Sequence, residues 1–183
     1  MERLTDYIGA TLEWVQPKAM ERSYELRSKE VLLASLAFRS AFGSLATAET
    51  AEESWTFKRV GFLNPRVTVR LAGHEEDLAV YHPKFWGDAG VLTFMDGAKL
   101  TWKSTNFWAT EWVFTEGAGE MVMKFRTGLE KGKLSDIFKT QATIEVGELG
   151  KRHTRLALLA CFGMYLIVLR QQDSAAVMAA SAG

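Results

Sequence analysis

The chain predicts a mainly β fold: an antiparallel, closed β-barrel of roughly twelve strands enclosing one hydrophobic C-terminal α-helix. Strand-like runs bounded by turn chemistry follow one another from residue 12 to residue 146. Several alternate apolar and polar residues with period 2, the mark of a sheet with one buried and one wet face. After them comes an unbroken apolar stretch, Leu156–Leu169, with Lys151, Arg152 and Arg155 before it and Arg170 after it. A helix that is hydrophobic on every side must be surrounded on every side.

In chain order, the first ten or so residues read as a short helix or an arm. The strand runs are Leu12–Val15, Ser23–Arg27, Val31–Phe38, Gly43–Ala48, Trp55–Arg59, Arg66–Leu71, Leu78–Tyr81, Val91–Phe94, Leu100–Lys103, Thr110–Thr115, Glu120–Arg126 and Thr140–Val146. Asp96-Gly97 suits a tight hairpin between two of them. Glu116-Gly117-Ala118-Gly119, Asn64-Pro65, Ala72-Gly73-His74 and Glu130-Lys131-Gly132-Lys133 mark further turns. Within Arg66–Leu71, Val67, Val69 and Leu71 share one face, and Arg66, Thr68 and Arg70 the other. Leu100 and Trp102 likewise oppose Lys99, Thr101 and Lys103. No linker or repeat divides the chain, so 1–183 reads as one domain: barrel strands over 12–146, a central helix within 151–172 and a frayed, Ala-rich tail over 173–183.

The apolar helix covers roughly 21 Å at 1.5 Å per residue, whereas a bilayer takes about twenty apolar residues. No transmembrane span is expected. A barrel of this width would otherwise hold a void or a ligand; the helix fills it, and Gly163 lets a bulky strand side chain approach the helix axis.

Lys+Arg and Asp+Glu both number 22 and the net charge is zero, which argues against a general nucleic-acid binder. The N-terminus lacks the pattern of a signal peptide, and no lipidation motif is visible. The lone Cys161 excludes an internal disulfide, consistent with a reducing cytoplasm. No cofactor or metal is expected: His74, His82 and His153 lack metal-ligand spacing, and His74-Glu75-Glu76-Asp77 reads as a solvated acidic turn. Cys161 lies inside the apolar helix, where a thiol packs as a small hydrophobe. Neither a nucleophile elbow nor a phosphate-binding glycine loop is present, and the expected role is non-catalytic.

Two groups of side chains are candidates for binding. Lys58, Arg66, Arg70, Lys99, Lys103, Lys124 and Arg126 project from predicted outer faces and would suit lipid phosphates if several converge; dispersed solubilising charge is the alternative. The adjacent aromatic pairs Phe85-Trp86 and Phe107-Trp108 lie in loops and are candidates for touching a membrane or partner, whereas Trp102 and Trp112 alternate with polar residues and belong to the core.

The strand-and-hairpin series, with Val91-Leu92-Thr93-Phe94, Asp96-Gly97 and Lys99-Leu100-Thr101-Trp102-Lys103, followed by the Leu156–Leu169 block, resembles the superfamily of tubby C-terminal domains, LURP-one-related proteins and phospholipid scramblases. The likeness covers about Ser23 to Gln172. It implies a roughly twelve-stranded barrel around a central helix and, from tubby domains, phosphoinositide binding by basic side chains outside the barrel. The chain departs from scramblases, since the segment before the helix has only Glu145 and Glu148 and there is no cysteine cluster. The expected function is therefore a cytoplasmic domain, peripheral at the membrane, that binds anionic phospholipid headgroups. A protein-interaction module without lipid affinity, a carrier barrel for a small apolar ligand and a tail-anchored protein are the competing readings.

Overall fold

The computed structural model describes residues 1–18, 21–84, 89–128 and 140–181. Twelve strands form one closed antiparallel barrel: β1 (Leu12–Val15), β2 (Ser23–Ser28), β3 (Val31–Phe38), β4 (Ala46–Thr50), β5 (Ser54–Val60), β6 (Arg66–Leu71), β7 (Ala79–Pro83), β8 (Ala89–Phe94), β9 (Lys99–Ser104), β10 (Glu111–Glu116), β11 (Glu120–Thr127) and β12 (Thr140–Val146). Each strand pairs with its sequence neighbours, and β1 closes the ring on β12 through Leu12↔Ile144 and Trp14↔Ala142. Closure leaves no sheet edge unpaired.

Helix α1 (Leu156–Ser181) runs up the barrel interior, and Leu158–Leu169 are all buried. Phe162 sits in an aromatic cage, with Phe57, Tyr81 and Phe114 rings at 5.3, 5.8 and 6.5 Å. Trp102 and Trp112 are core residues, stacked at 5.4 Å. Gly163 does what its position predicts: a methyl there would clash with the outer edge of the Phe125 ring, so the missing side chain is what lets this strand residue reach the helix backbone. By length and composition α1 could cross a membrane, yet 72% of its most apolar 18-residue window is buried inside the protein.

Because the strands form an unbroken antiparallel meander, every connection from an odd to an even strand lies at one mouth of the barrel and every connection from even to odd at the other. The helix enters at the even-to-odd mouth. There Arg155 pairs with Asp96 of the β8–β9 hairpin and Arg3 with Glu52 at 3.0 Å, while a 3-10 turn at Leu4–Tyr7 tucks Leu4 under the barrel. Gly150 opens a second 3-10 turn, Gly150–Arg152, where any side chain would collide with the Val122 carbonyl. The helix leaves at the odd-to-even mouth, where the Tyr165 hydroxyl donates to the Ser44 carbonyl (2.7 Å) and Arg59 grips both oxygens of Asp173 (2.9 and 2.7 Å).

Most strand bounds fall within two residues of expectation, and two boundaries differ by more. β4 begins at Ala46 rather than Gly43, because Gly43 is held in a turn by the Ser40 hydroxyl, which accepts its N–H at 2.9 Å. The helix continues through the stretch read as a frayed tail, to Ser181; Ala-rich sequence propagates helix well, and the Arg59–Asp173 pair anchors its first exposed turn.

Candidate functional site

The exit mouth differs from the rest of the surface. Three of its loops each lift large apolar side chains clear of the barrel: Phe42 (99% exposed) between β3 and β4, Phe62 (97%) and Leu63 (94%) between β5 and β6, and Phe107 (92%) and Trp108 (79%) between β9 and β10. Val177 and Met178 on the emerging helix add to them. Scattered exposed apolar residues are ordinary, but a group of aromatic tips at one end of a molecule marks an interaction surface.

The loops of Phe42 and of Phe107-Trp108 are braced, so their tips are presented rather than collapsed. One guanidinium nitrogen of Arg22 donates to the carbonyls of Ser40 (2.6 Å), Ala41 (3.0 Å) and Gly43 (2.9 Å), fixing the loop that bears Phe42. The same guanidinium lies over the Phe38 ring at 3.9 Å. The Asn106 side chain accepts the Thr110 N–H (2.9 Å) and donates to the Thr110 hydroxyl (2.7 Å). Trp112 Nε1 donates to the Ala109 carbonyl at 2.9 Å, and Ala109 holds a left-handed backbone (φ 51°). Phe107 and Trp108 then meet edge to face at 5.3 Å above this framework.

Charge is also divided between the mouths. The entry-mouth hairpin turns carry Glu30, Glu52, Glu53, Glu75, Glu76, Asp77 and Asp96 against Lys29, and the segments that flank the barrel there add Glu2, Asp6 and Glu148 against Arg3, Lys151, Arg152 and Arg155. The exit-mouth loops carry Lys18, Arg22, Arg39 and Lys84. Lys58, Arg59, Arg66, Lys103, Lys124 and Arg126 lie in the exit halves of their strands. Among the described residues, the exit-mouth carboxylates Glu21, Glu111 and Asp173 are each ion-paired, to Lys18, Arg126 and Arg59. Among the described residues, charge is thus polarised along the barrel axis, acidic at the entry mouth and basic where the helix leaves.

The basic residues expected on outer faces do not form a single cluster. Lys58, Arg66 and Arg70 are on β5 and β6, and Lys99, Lys103, Lys124 and Arg126 on β9 and β11, with β7 and β8 between the groups. Arg70 and Lys99 lie toward the acidic mouth, and Arg70 is bound to Asp77 at 2.6 Å. Arg126 is shared between Glu111 (3.2 Å) and Glu145 (3.0 Å). Lys58, Arg66, Lys103 and Lys124 have no carboxylate partner among the described residues. Of the aromatic pairs, Phe107-Trp108 is exposed, while Phe85 and Trp86 lie outside the described residues.

Beside the emerging helix a cavity of about 630 Å³ opens at the same mouth. Its walls are Val67, Tyr81, Trp102 and Trp112 from the barrel and Leu166 and Leu169 from α1; Arg59, Lys84, Arg170 and Asp173 stand at its edge. Arg170 lies over the Trp112 ring at 4.9 Å.

Among the described residues no group of His, Cys, Asp and Glu could hold a metal ion. Cys161 is fully enclosed, and burial pushes its thiol far above the ordinary range, away from the reactive thiolate. Burial also lowers His153, against the opposing pull of Glu116 3.8 Å away. In comparisons with known proteins, no family model, curated protein or solved structure matches the chain.

Phe42, Phe62 and Leu63 were not singled out by sequence reasoning, which looked for adjacent aromatic pairs. A usable signal was present: each is a large apolar residue embedded in turn formers, Ser40-Ala41-Phe42-Gly43 and Gly61-Phe62-Leu63-Asn64-Pro65.

Proposed function

We propose that this protein is a non-catalytic, tubby-like barrel that docks peripherally on anionic membrane surfaces by its exit mouth. The observation behind this reading is the coincidence, at one end of a neutral molecule, of braced apolar tips and of cations lacking carboxylate partners. Aromatic side chains favour the headgroup–acyl boundary. Burying a Phe or Leu side chain stabilises by about 1.5–3 kcal/mol when complete. Each cation near an anionic leaflet adds about 1 kcal/mol. Neither term needs a deep headgroup pocket, which is why Lys58, Arg66, Lys103 and Lys124 can contribute from separate strands. The tubby-like resemblance adds the expectation that phosphoinositides are preferred over other anionic lipids.

Liposome flotation of detergent-free protein tests the reading. Vesicles with phosphatidylserine or phosphoinositide at matched charge should carry the protein upward at low salt, and neutral vesicles should not. High salt should weaken binding, since exposed charges are screened beyond about 10 Å at 0.1 M. The triple variant Phe42→Ser, Phe62→Ser, Trp108→Ser should lose at least tenfold in binding while melting like the parent, because all three side chains are solvent-exposed. Absence of flotation in every condition would overturn the membrane reading and leave a protein partner for the apolar mouth.

A further inference from the structure

The cavity beside the helix exit has no part in docking through loop tips, and its chemistry is specific. Its walls are indole, phenol and aliphatic side chains, and its edge carries Arg59, Lys84 and Arg170 against one carboxylate, Asp173, which is held by Arg59. About 630 Å³ falls within the ~300–1,000 Å³ range of small-molecule sites. α1 makes its close backbone approaches to β3, β4 and β5 and, across the barrel, to β11. The space in the arc of wall between β5 and β11, against β6, β7, β9 and β10, is left open toward the exit mouth. The Arg59–Asp173 pair ties the helix to β5 at this mouth.

The geometry points to this groove as a binding site for one acyl chain of an anionic lipid, the chain lying between α1 and the Trp102–Trp112 wall and its acid group held at the edge by Lys84 and Arg170. An apolar lining with a net basic mouth, its one carboxylate Asp173 already taken by Arg59, matches an amphiphile with a single charged end. A wholly apolar ligand would leave Lys84 without a carboxylate partner, as it is now among the described residues. A headgroup alone would leave the aromatic walls unused. The open end faces the direction from which a docked membrane would present lipid. Delivery therefore rests on the membrane reading, whereas binding of a dissolved probe does not.

Bromine quenches indole fluorescence at contact range, so 9,10-dibromostearate below its micellar concentration is a direct probe of Trp102 and Trp112. In a Trp86→Phe, Trp108→Phe background, quenching should saturate. Shortening the brominated chain by four carbons should weaken binding more than tenfold. The double variant Lys84→Glu, Arg170→Glu should weaken the acid at least tenfold and leave the corresponding brominated alcohol unchanged. Ser174 is exposed on the groove side of the helix, so Ser174→Phe should obstruct both ligands without disturbing the melt. No quenching, or quenching indifferent to chain length and to Ser174→Phe, would overturn the site; acid and alcohol binding equally would overturn the role of the cations. Flotation without quenching would remove the groove and keep the docking surface, and quenching without flotation would do the reverse.

Discussion

Phe125 and Gly163 show how single residues set this core. The Phe125 ring lies against the helix backbone and is boxed in by Trp102 at 5.4 Å and Phe114 at 6.3 Å, so it has nowhere to retreat. Gly163→Ala gains about 1 kcal/mol of helix propensity but overpacks a closed site, which costs about 1–3 kcal/mol. The expected net result is a loss of about 1 kcal/mol, read as a Tm lower by about 2–4 °C, and restored when Phe125→Leu is added. An additive double mutant would mean that the two residues do not meet. The need for a small residue here was legible in the sequence; its partner was not, because register across strands far apart in sequence decides which ring arrives.

At the scale of elements, strands were legible where period 2 was clean, as in β6 and β9, and the helix where no polar residue interrupts it. Legibility failed where side chains stabilise an irregular segment. Gly43-Ser44-Leu45 passes for strand until Arg22, some twenty residues away, is seen holding the turn before it. Likewise, the helix beyond Gln172 depends on a carboxylate, Asp173, answering Arg59 from β5. The enclosed half of α1 has a sharp consequence. Leu159 is fully buried, and a lone carboxylate there has no partner and no water, which costs several kcal/mol. Leu159→Asp should yield insoluble protein or a chain with no cooperative melt. A soluble, cooperatively melting variant would mean that α1 is not the core of the barrel.

For the molecule as a whole, the division of charge between the mouths could not be read from composition, which sums to zero. It emerges only once the meander fixes which turns share an end. The same polarity predicts one docked orientation. Cys161 is buried and protonated, so a cysteine introduced at the surface can be labelled alone in the folded protein. An environment-sensitive dye at Phe62→Cys should shift to the blue on anionic vesicles, and the same dye at His74→Cys, at the acidic mouth, should not. Equal shifts at both positions would contradict a single orientation.

The order of elements along the chain also bears on how this protein comes into being. The twelve strands precede the helix that fills them, so the ribosome completes the wall before the filling. At about 5–20 residues per second, the interval between Val146 and Leu169 lasts about one to five seconds. During it the nascent chain has a full set of inward-facing Trp, Phe and Leu side chains and nothing to pack them on. Closure through β1 and β12 joins the two ends of the strand series, the kind of long-range pairing that forms slowly. Ring closure must therefore wait for α1 or proceed around it, and the hollow, half-made barrel is the form in which a chaperone would meet this chain.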